Sequence, residues 1–135
     1  MRIRHYIAMG AICALLASTV VAETYTIPVE KVDAKKVYWG SASSFQKPAK
    51  VNYERVVKAT PEYLSIKKNK IEQNTAKYWI LVSQASNHAV RLIAEAAKDG
   101  SYDFIAAASY LGTLQPPIPA DDITDLVLKK MDQTN

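Results

Sequence analysis

Apolar residues recur at three- and four-residue spacing through the middle of the chain, and this rhythm predicts the main element. Trp79, Val82, Ala89 or Val90, Ile93 and Ala97 mark one stripe of a helix over residues 76–97, widened by Leu81, Ala85 and Leu92. Lys98-Asp99-Gly100 supplies its stop, with Gly100 suited to a left-handed position past the last turn. Upstream, Thr60-Pro61-Glu62 opens another helix. The hydroxyl can accept an orphan amide, the proline ring presets the first helical φ, and the carboxylate faces the positive end of the dipole. Tyr63, Ile66 and Ile71 give that helix a thin apolar stripe to about Glu72.

Gln73-Asn74-Thr75 reads either as a turn or as a polar patch in one continuous helix. An unbroken rod over residues 61–98 would be about 57 Å long at 1.5 Å per residue and would hold its flanking segments far apart. A break at 73–75 folds residues 60–99 into a helical hairpin and returns those segments to each other. The hairpin is the expectation.

Period-two patterns lie on both sides. Residues 50–57 alternate, with Val51, Tyr53 and Arg55 on one face. Residues 104–111 carry a helix-prone Ala106-Ala107-Ala108 run. Tyr102, Phe104, Ile105 and Tyr110, between Gly100 and Gly112, favour a strand instead. Residues 116–119, Pro-Pro-Ile-Pro, form an extended elbow. Asp122, with Asp125 three residues on, caps a last helix that buries Ile123, Leu126, Val127 and Met131. Residues 25–29 and 36–39 are short extended candidates, and Pro28 confines the first to a sheet edge. Ser41-Ala42-Ser43-Ser44 reads as flexible, so residues 23–49 are expected to form a loosely attached, poorly defined N-terminal arm. The expected fold class is α+β: a small β-body with an inserted helical hairpin and a C-terminal helix.

At the N-terminus, Arg2 and Arg4 precede an apolar run over residues 7–21, and Val20-Val21-Ala22 offers side chains that a signal peptidase accepts. The run falls short of the roughly 20 residues that span a bilayer. A leader over residues 1–22, cleaved after Ala22, is expected in preference to an anchor. Cys13, behind Gly10-Ala11-Ile12, makes a poor lipidation site and leaves with the leader. Residues 23–135 contain no other cysteine, so packing or oligomerisation must stand in for disulfides.

The order of the C-terminal features, Tyr102-Asp103-Phe104-Ile105-Ala106-Ala107-Ala108-Ser109-Tyr110-Leu111, the 116–119 elbow and Asp122-Ile123-Thr124-Asp125-Leu126-Val127, resembles the end of the Skp/OmpH family of periplasmic chaperones. Val51-Asn52-Tyr53-Glu54-Arg55-Val56-Val57 through Thr60-Pro61-Glu62 is similar to that family's opening strand and first helix. The resemblance covers residues 50–131. It implies a β-body with a helical hairpin, assembly of subunits into a homo-oligomer (a trimer if family-like), and shelter of unfolded outer-membrane proteins in the periplasm. The hairpin available here is far shorter than the family's coiled-coil tentacles. The alternatives are a non-catalytic envelope binding or structural module, or an accessory or inhibitor subunit of an envelope enzyme.

Charge and chemistry add little beyond this. Residues 47–77 are rich in lysine, and residues 95–132 are mainly acidic, a dipole that can steer binding to anionic surfaces. Lys67, Lys68, Lys70 and Lys77 are candidates for contact with an anionic lipid surface or acidic client residues; solvated helix surface is the plain alternative. Tyr78-Trp79-Ile80-Leu81-Val82 is the densest apolar stretch after the leader and points nearly all round one helix. Tyr78, Trp79, Leu81 and Val82 are candidates for client or subunit contact, or for core. His88 has no cysteine or carboxylate four residues away and reads as a helix-surface residue. Ser83 and Ser86 lack an ordered base, and Glu95, Asp99 and Asp103 read as solvated carboxylates. No enzyme activity, metal or cofactor is expected, and the scarcity of arginine in an exported chain argues against nucleic acid.

Overall fold

The computed structural model describes residues 21–134. The expected leader lies outside the described residues except for its last two positions. Strands β1 (Val37–Gly40), β2 (Pro48–Val51), β3 (Phe104–Ala107) and β4 (Asp121–Asp122) form one mixed sheet in the order β1-β3-β2-β4. Helices α1 (Tyr53–Ala59), α2 (Pro61–Lys68) and α3 (Ala76–Gly100) lie between β2 and β3 in sequence. A single turn, α4 (Ala108–Leu111), follows β3, and α5 (Thr124–Thr134) ends the described chain. The fold is α+β.

The two central strands run side by side and parallel, with Pro48 opposite Phe104 and Val51 opposite Ala107. A parallel pair needs a long crossover, and α1, α2 and α3 provide it. Both strands are shorter than predicted. Residues 53–57 form α1 because the Asn52 side chain accepts from the Arg55 amide at 3.1 Å and starts a helix there. Residues 108–111 become α4, where the helical preference of alanine prevails once the chain leaves the ladder.

Thr60 separates α1 from α2. Pro61 keeps the preceding residue out of the helical region, and Thr60 sits at φ −64°, ψ 148°. Its buried hydroxyl donates to the Val57 carbonyl at 2.7 Å and accepts from the Tyr63 amide at 3.3 Å, serving the end of one helix and the start of the next. The chain then breaks at residues 69–75, and α3 folds back along α2. The break includes the predicted 73–75 but begins four residues earlier, because α2 ends at Lys68 and not near Glu72. The arms are unequal: about 12 Å for the eight residues of α2 and about 37 Å for the twenty-five of α3.

The helices α2 and α3 end in the same way. The Ile71 amide donates to the Ile66 carbonyl and the Lys70 amide to Lys67, with Lys70 at φ 50°. The Tyr102 amide donates to Ala97 and the Ser101 amide to Lys98, with Ser101 at φ 55°. Both are Schellman motifs, in which a left-handed residue satisfies the last carbonyls. In the second, the left-handed residue is Ser101, one position beyond the predicted Gly100.

Successive residues of β3 bury themselves on opposite faces of the sheet. Ile105 joins Ala49, Val51, Val56, Leu92, Ile93, Val127 and Met131 beneath the helices. Phe104 and Ala106 join Ile27, Phe45, Leu111 and Leu114 on the other side. That two-sided burial explains why the strand reads as an unbroken apolar run.

The second core overturns the expectation of a loosely attached arm. Residues 23–49 supply β1, the first two residues of β2, Ile27 and Phe45, and Tyr25 exchanges both backbone hydrogen bonds with Phe45. Asp103 fixes the loop before β2 by accepting from the Gln46 and Lys47 amides at 2.7 and 2.8 Å. Its carboxylate is structural, not merely solvated. Ile123, just before α5, and Val127 and Met131 within it are buried as predicted, but Leu126 is 42% exposed. Thr124 takes the inward place instead. Its hydroxyl donates to Asp122 at 2.6 Å and accepts from the Asn52 amide at 2.9 Å, tying α5 to the β2–α1 junction.

Candidate functional site

The far end of the hairpin gathers the residues singled out from the sequence. Lys67 and Lys68 close α2, Lys70 occupies the left-handed position of its cap, and Lys77 lies in the first turn of α3. All four are exposed, and among the described residues none is ion-paired. The Lys67 ammonium lies 5.8 Å from the centre of the Tyr63 ring, close enough for a cation–π contact. Glu72, on the intervening turn, is the acidic residue set among them.

Thr75 starts α3. Its hydroxyl accepts from the Tyr78 amide at 3.2 Å and donates to the Glu72 carbonyl at 2.8 Å. This cap fixes where α3 starts. Trp79 is 61% exposed and Ile80 57% exposed, whereas Tyr78, Leu81 and Val82 are half-buried. Tyr78 presents its ring edge-on to Trp79, centroids 5.2 Å apart, and so props the indole in place. Neither two-sided reading of this stretch holds as a whole: part of it packs against the hairpin and part stands in water.

One pair inside the hairpin was missed. His88 is not on the helix surface. It is 8% exposed, and its Nδ1 lies 3.1 and 3.2 Å from the two carboxylate oxygens of Glu62 at the start of α2. Its Nε2 is buried without a hydrogen-bond partner. Burial pushes the Glu62 carboxyl up, but backbone hydrogen bonding, His88 and the nearby Arg91 outweigh it and hold the group below its usual range. The partners are distant in sequence, so no local spacing could reveal them. Ser83 and Ser86 have no base against them, and Asp99 pairs with Lys130.

Among the described residues, no group of three or more His, Cys, Asp or Glu side chains is placed to hold a metal ion, and no helix is long and apolar enough to cross a membrane. The chain matches no protein-family model, no curated protein and no solved structure.

Proposed function

We propose that the protein is a non-catalytic, holdase-like factor of the periplasm that contacts exposed apolar segments of unfolded chains through the end of its hairpin. The observation that carries this reading is the exposure of Trp79 and Ile80 at the start of α3, at the same end of the hairpin as four lysines that have no ion pair among the described residues. Adjacent exposed apolar residues can form a contact surface, and tryptophan is enriched among the residues that dominate binding at interfaces. The lysines add long-range attraction for acidic partners, screened by salt. Unfolded outer-membrane proteins are the client class implied by the resemblance to the Skp/OmpH family. With α2 only eight residues long, the hairpin has little depth to enclose a client, so capture rests on the exposed end. Assembly into a homo-oligomer belongs to the same proposal, and a mass measurement in solution tests it.

The test is suppression of aggregation of an unfolded outer-membrane barrel at a few-fold excess of this protein. Trp79→Ser with Ile80→Ser abolishes suppression while the circular dichroism spectrum is retained. A wild-type protein that does not slow aggregation refutes the reading. The unpaired lysines also favour an envelope module docked on an anionic lipid surface. Flotation with phosphatidylglycerol vesicles, lost on replacing Lys67, Lys68, Lys70 and Lys77 by glutamine, would favour that reading over the holdase.

A further inference from the structure

The other open surface lies at the opposite side of the molecule, beside the N-terminal segment. Residues 24–27 run extended. Tyr25 donates to and accepts from Phe45 at 2.7 and 3.0 Å, and the Ile27 amide donates to Ala42 at 2.9 Å. Successive peptide groups of an extended chain point to opposite sides. The Thr24 C=O, the Thr26 N–H and the Thr26 C=O share peptide groups with these bonded atoms and therefore point away from residues 42–45, and among the described residues they have no backbone partner. The threonine side chains are engaged elsewhere. The Thr26 hydroxyl donates to the Ser43 carbonyl at 3.1 Å, and Thr24 Oγ1 accepts from Gln46 Nε2 at 3.4 Å.

This unpaired edge faces a groove of about 370 Å³ whose far wall is residues 114–119, Leu-Gln-Pro-Pro-Ile-Pro. Proline has no N–H, so Pro116, Pro117 and Pro119 cannot donate to the edge opposite. Of the lining residues, only Glu23 and Lys31 carry charge.

We propose that this groove binds an extended, uncharged polypeptide segment by strand addition. The main chain of the segment pairs with Thr24 and Thr26, about 6.6 Å apart at ~3.3 Å per residue, and its side chains rest on the proline wall. One outward donor, the Thr26 N–H, and two outward acceptors at strand spacing match a peptide backbone and no simple apolar ligand; the wall supplies sequence tolerance. The site lies on a different part of the chain from Trp79 and stands whether or not the hairpin captures clients.

The probe is the capped peptide acetyl-Thr-Val-Thr-Val-amide, titrated to a few millimolar into ¹⁵N-labelled protein. The Thr24 and Thr26 amides shift, and the Thr26 amide exchanges its hydrogen more slowly. The same peptide N-methylated at alternate residues, which lacks the pairing donors, binds about five- to tenfold more weakly. Thr26→Pro removes an outward donor and weakens the peptide to a similar extent, with circular dichroism confirming the fold. In Trp79→Ser the peptide-induced shifts of the Thr24 and Thr26 amides persist, which separates this site from the hairpin. The proposal fails if the Thr24 and Thr26 amides do not respond, or if the N-methylated peptide binds equally well. It also fails if protection of the Thr26 amide is present without peptide and rises with protein concentration, since the occupant is then a second copy.

Discussion

The rings of Phe45 and Phe104 stack with their centroids 4.1 Å apart and 12° between their planes. Phe104 belongs to the central strand, and Phe45 to the segment that precedes the whole helical region. This contact makes residues 23–49 part of the body, because both rings are fully buried and Tyr25 stacks on the outer side of Phe45 at 5.8 Å. Phe45→Ala leaves a cavity over β3 and lowers stability by about 3–5 kcal/mol. Urea denaturation at constant m-value reads the loss. A cost below about 1 kcal/mol would mean that the segment is dispensable.

Gly40 tests the neighbouring strand pair. It sits at φ 79°, and a Cβ there would lie 1.9 Å from the Asp103 carbonyl oxygen. That atom is backbone and cannot swing aside as a flexible side chain could. Gly40→Ala therefore combines left-handed strain with displacement of β1 from β3 and costs at least about 2 kcal/mol. Thermal unfolding followed by circular dichroism measures it.

The two Schellman caps predict the opposite sign. Lys70 and Ser101 hold left-handed conformations at φ 50° and 55° with Cβ atoms in place. An L-residue there costs roughly 1–2 kcal/mol, of which glycine returns part after its own entropy loss. Ser101→Gly raises stability by about 0.5–1 kcal/mol, a rise of roughly 2–6 °C in Tm. Lys70→Gly does the same and also removes one charge from the hairpin end.

The sequence made the hairpin legible because its signals are local. Thr60-Pro61, Thr75 and the apolar stripe of α3 each fix a helix boundary through neighbours within a few residues. The pairing of β2 with β3 followed from that turn alone. What stayed hidden depends on contacts distant in sequence. Ile27 and Phe45 look like isolated apolar residues in a polar arm until β3 buries its second face against them. His88 has its carboxylate partner on another helix, and Asp103 serves amides that lie before β2. At the hairpin end, the composition of residues 78–82 showed that one surface could not cover them all. Only the packing of α3, which buries Ala85, His88, Ala89 and Leu92, decided that Trp79 and Ile80 face water.

Acid pH weakens two of these contacts. Asp122 accepts from the Thr124 hydroxyl and amide, which hold its carboxyl below the usual aspartate range, helped by Lys50 and Arg55. Glu62 is lowered as well, against its burial. A lowered folded-state pKa means that the unfolded chain binds more protons in this window, so stability rises with pH there. The contribution is complete above the unfolded values near ~4 and is lost as pH falls through the lower folded values. Asp122→Ala costs about 1 kcal/mol at pH 7. Its deficit against the wild type shrinks below about pH 4. Urea midpoints between pH 2.5 and 7 follow the convergence, and a deficit constant with pH would refute the role of the carboxylate.

Thr60 links the body to the hairpin and separates shape from hydrogen bonding. Its hydroxyl serves Val57 and Tyr63 at once, in a position from which water is excluded. Valine has nearly the same volume and tolerates the same extended backbone, so Thr60→Val removes both bonds with little change in packing. The Tyr63 amide then loses its partner, while the Val57 carbonyl keeps the Thr60 backbone amide at 3.1 Å, at a cost of about 1–2 kcal/mol. Serine keeps the hydroxyl and loses only a methyl, so Thr60→Ser loses about 1 kcal/mol or less, the scale of one buried methyl. If valine and serine prove equally stable, the junction is held by Pro61 alone. If valine costs more, hydrogen exchange at Tyr63 quickens along with it, because that amide is the donor set free.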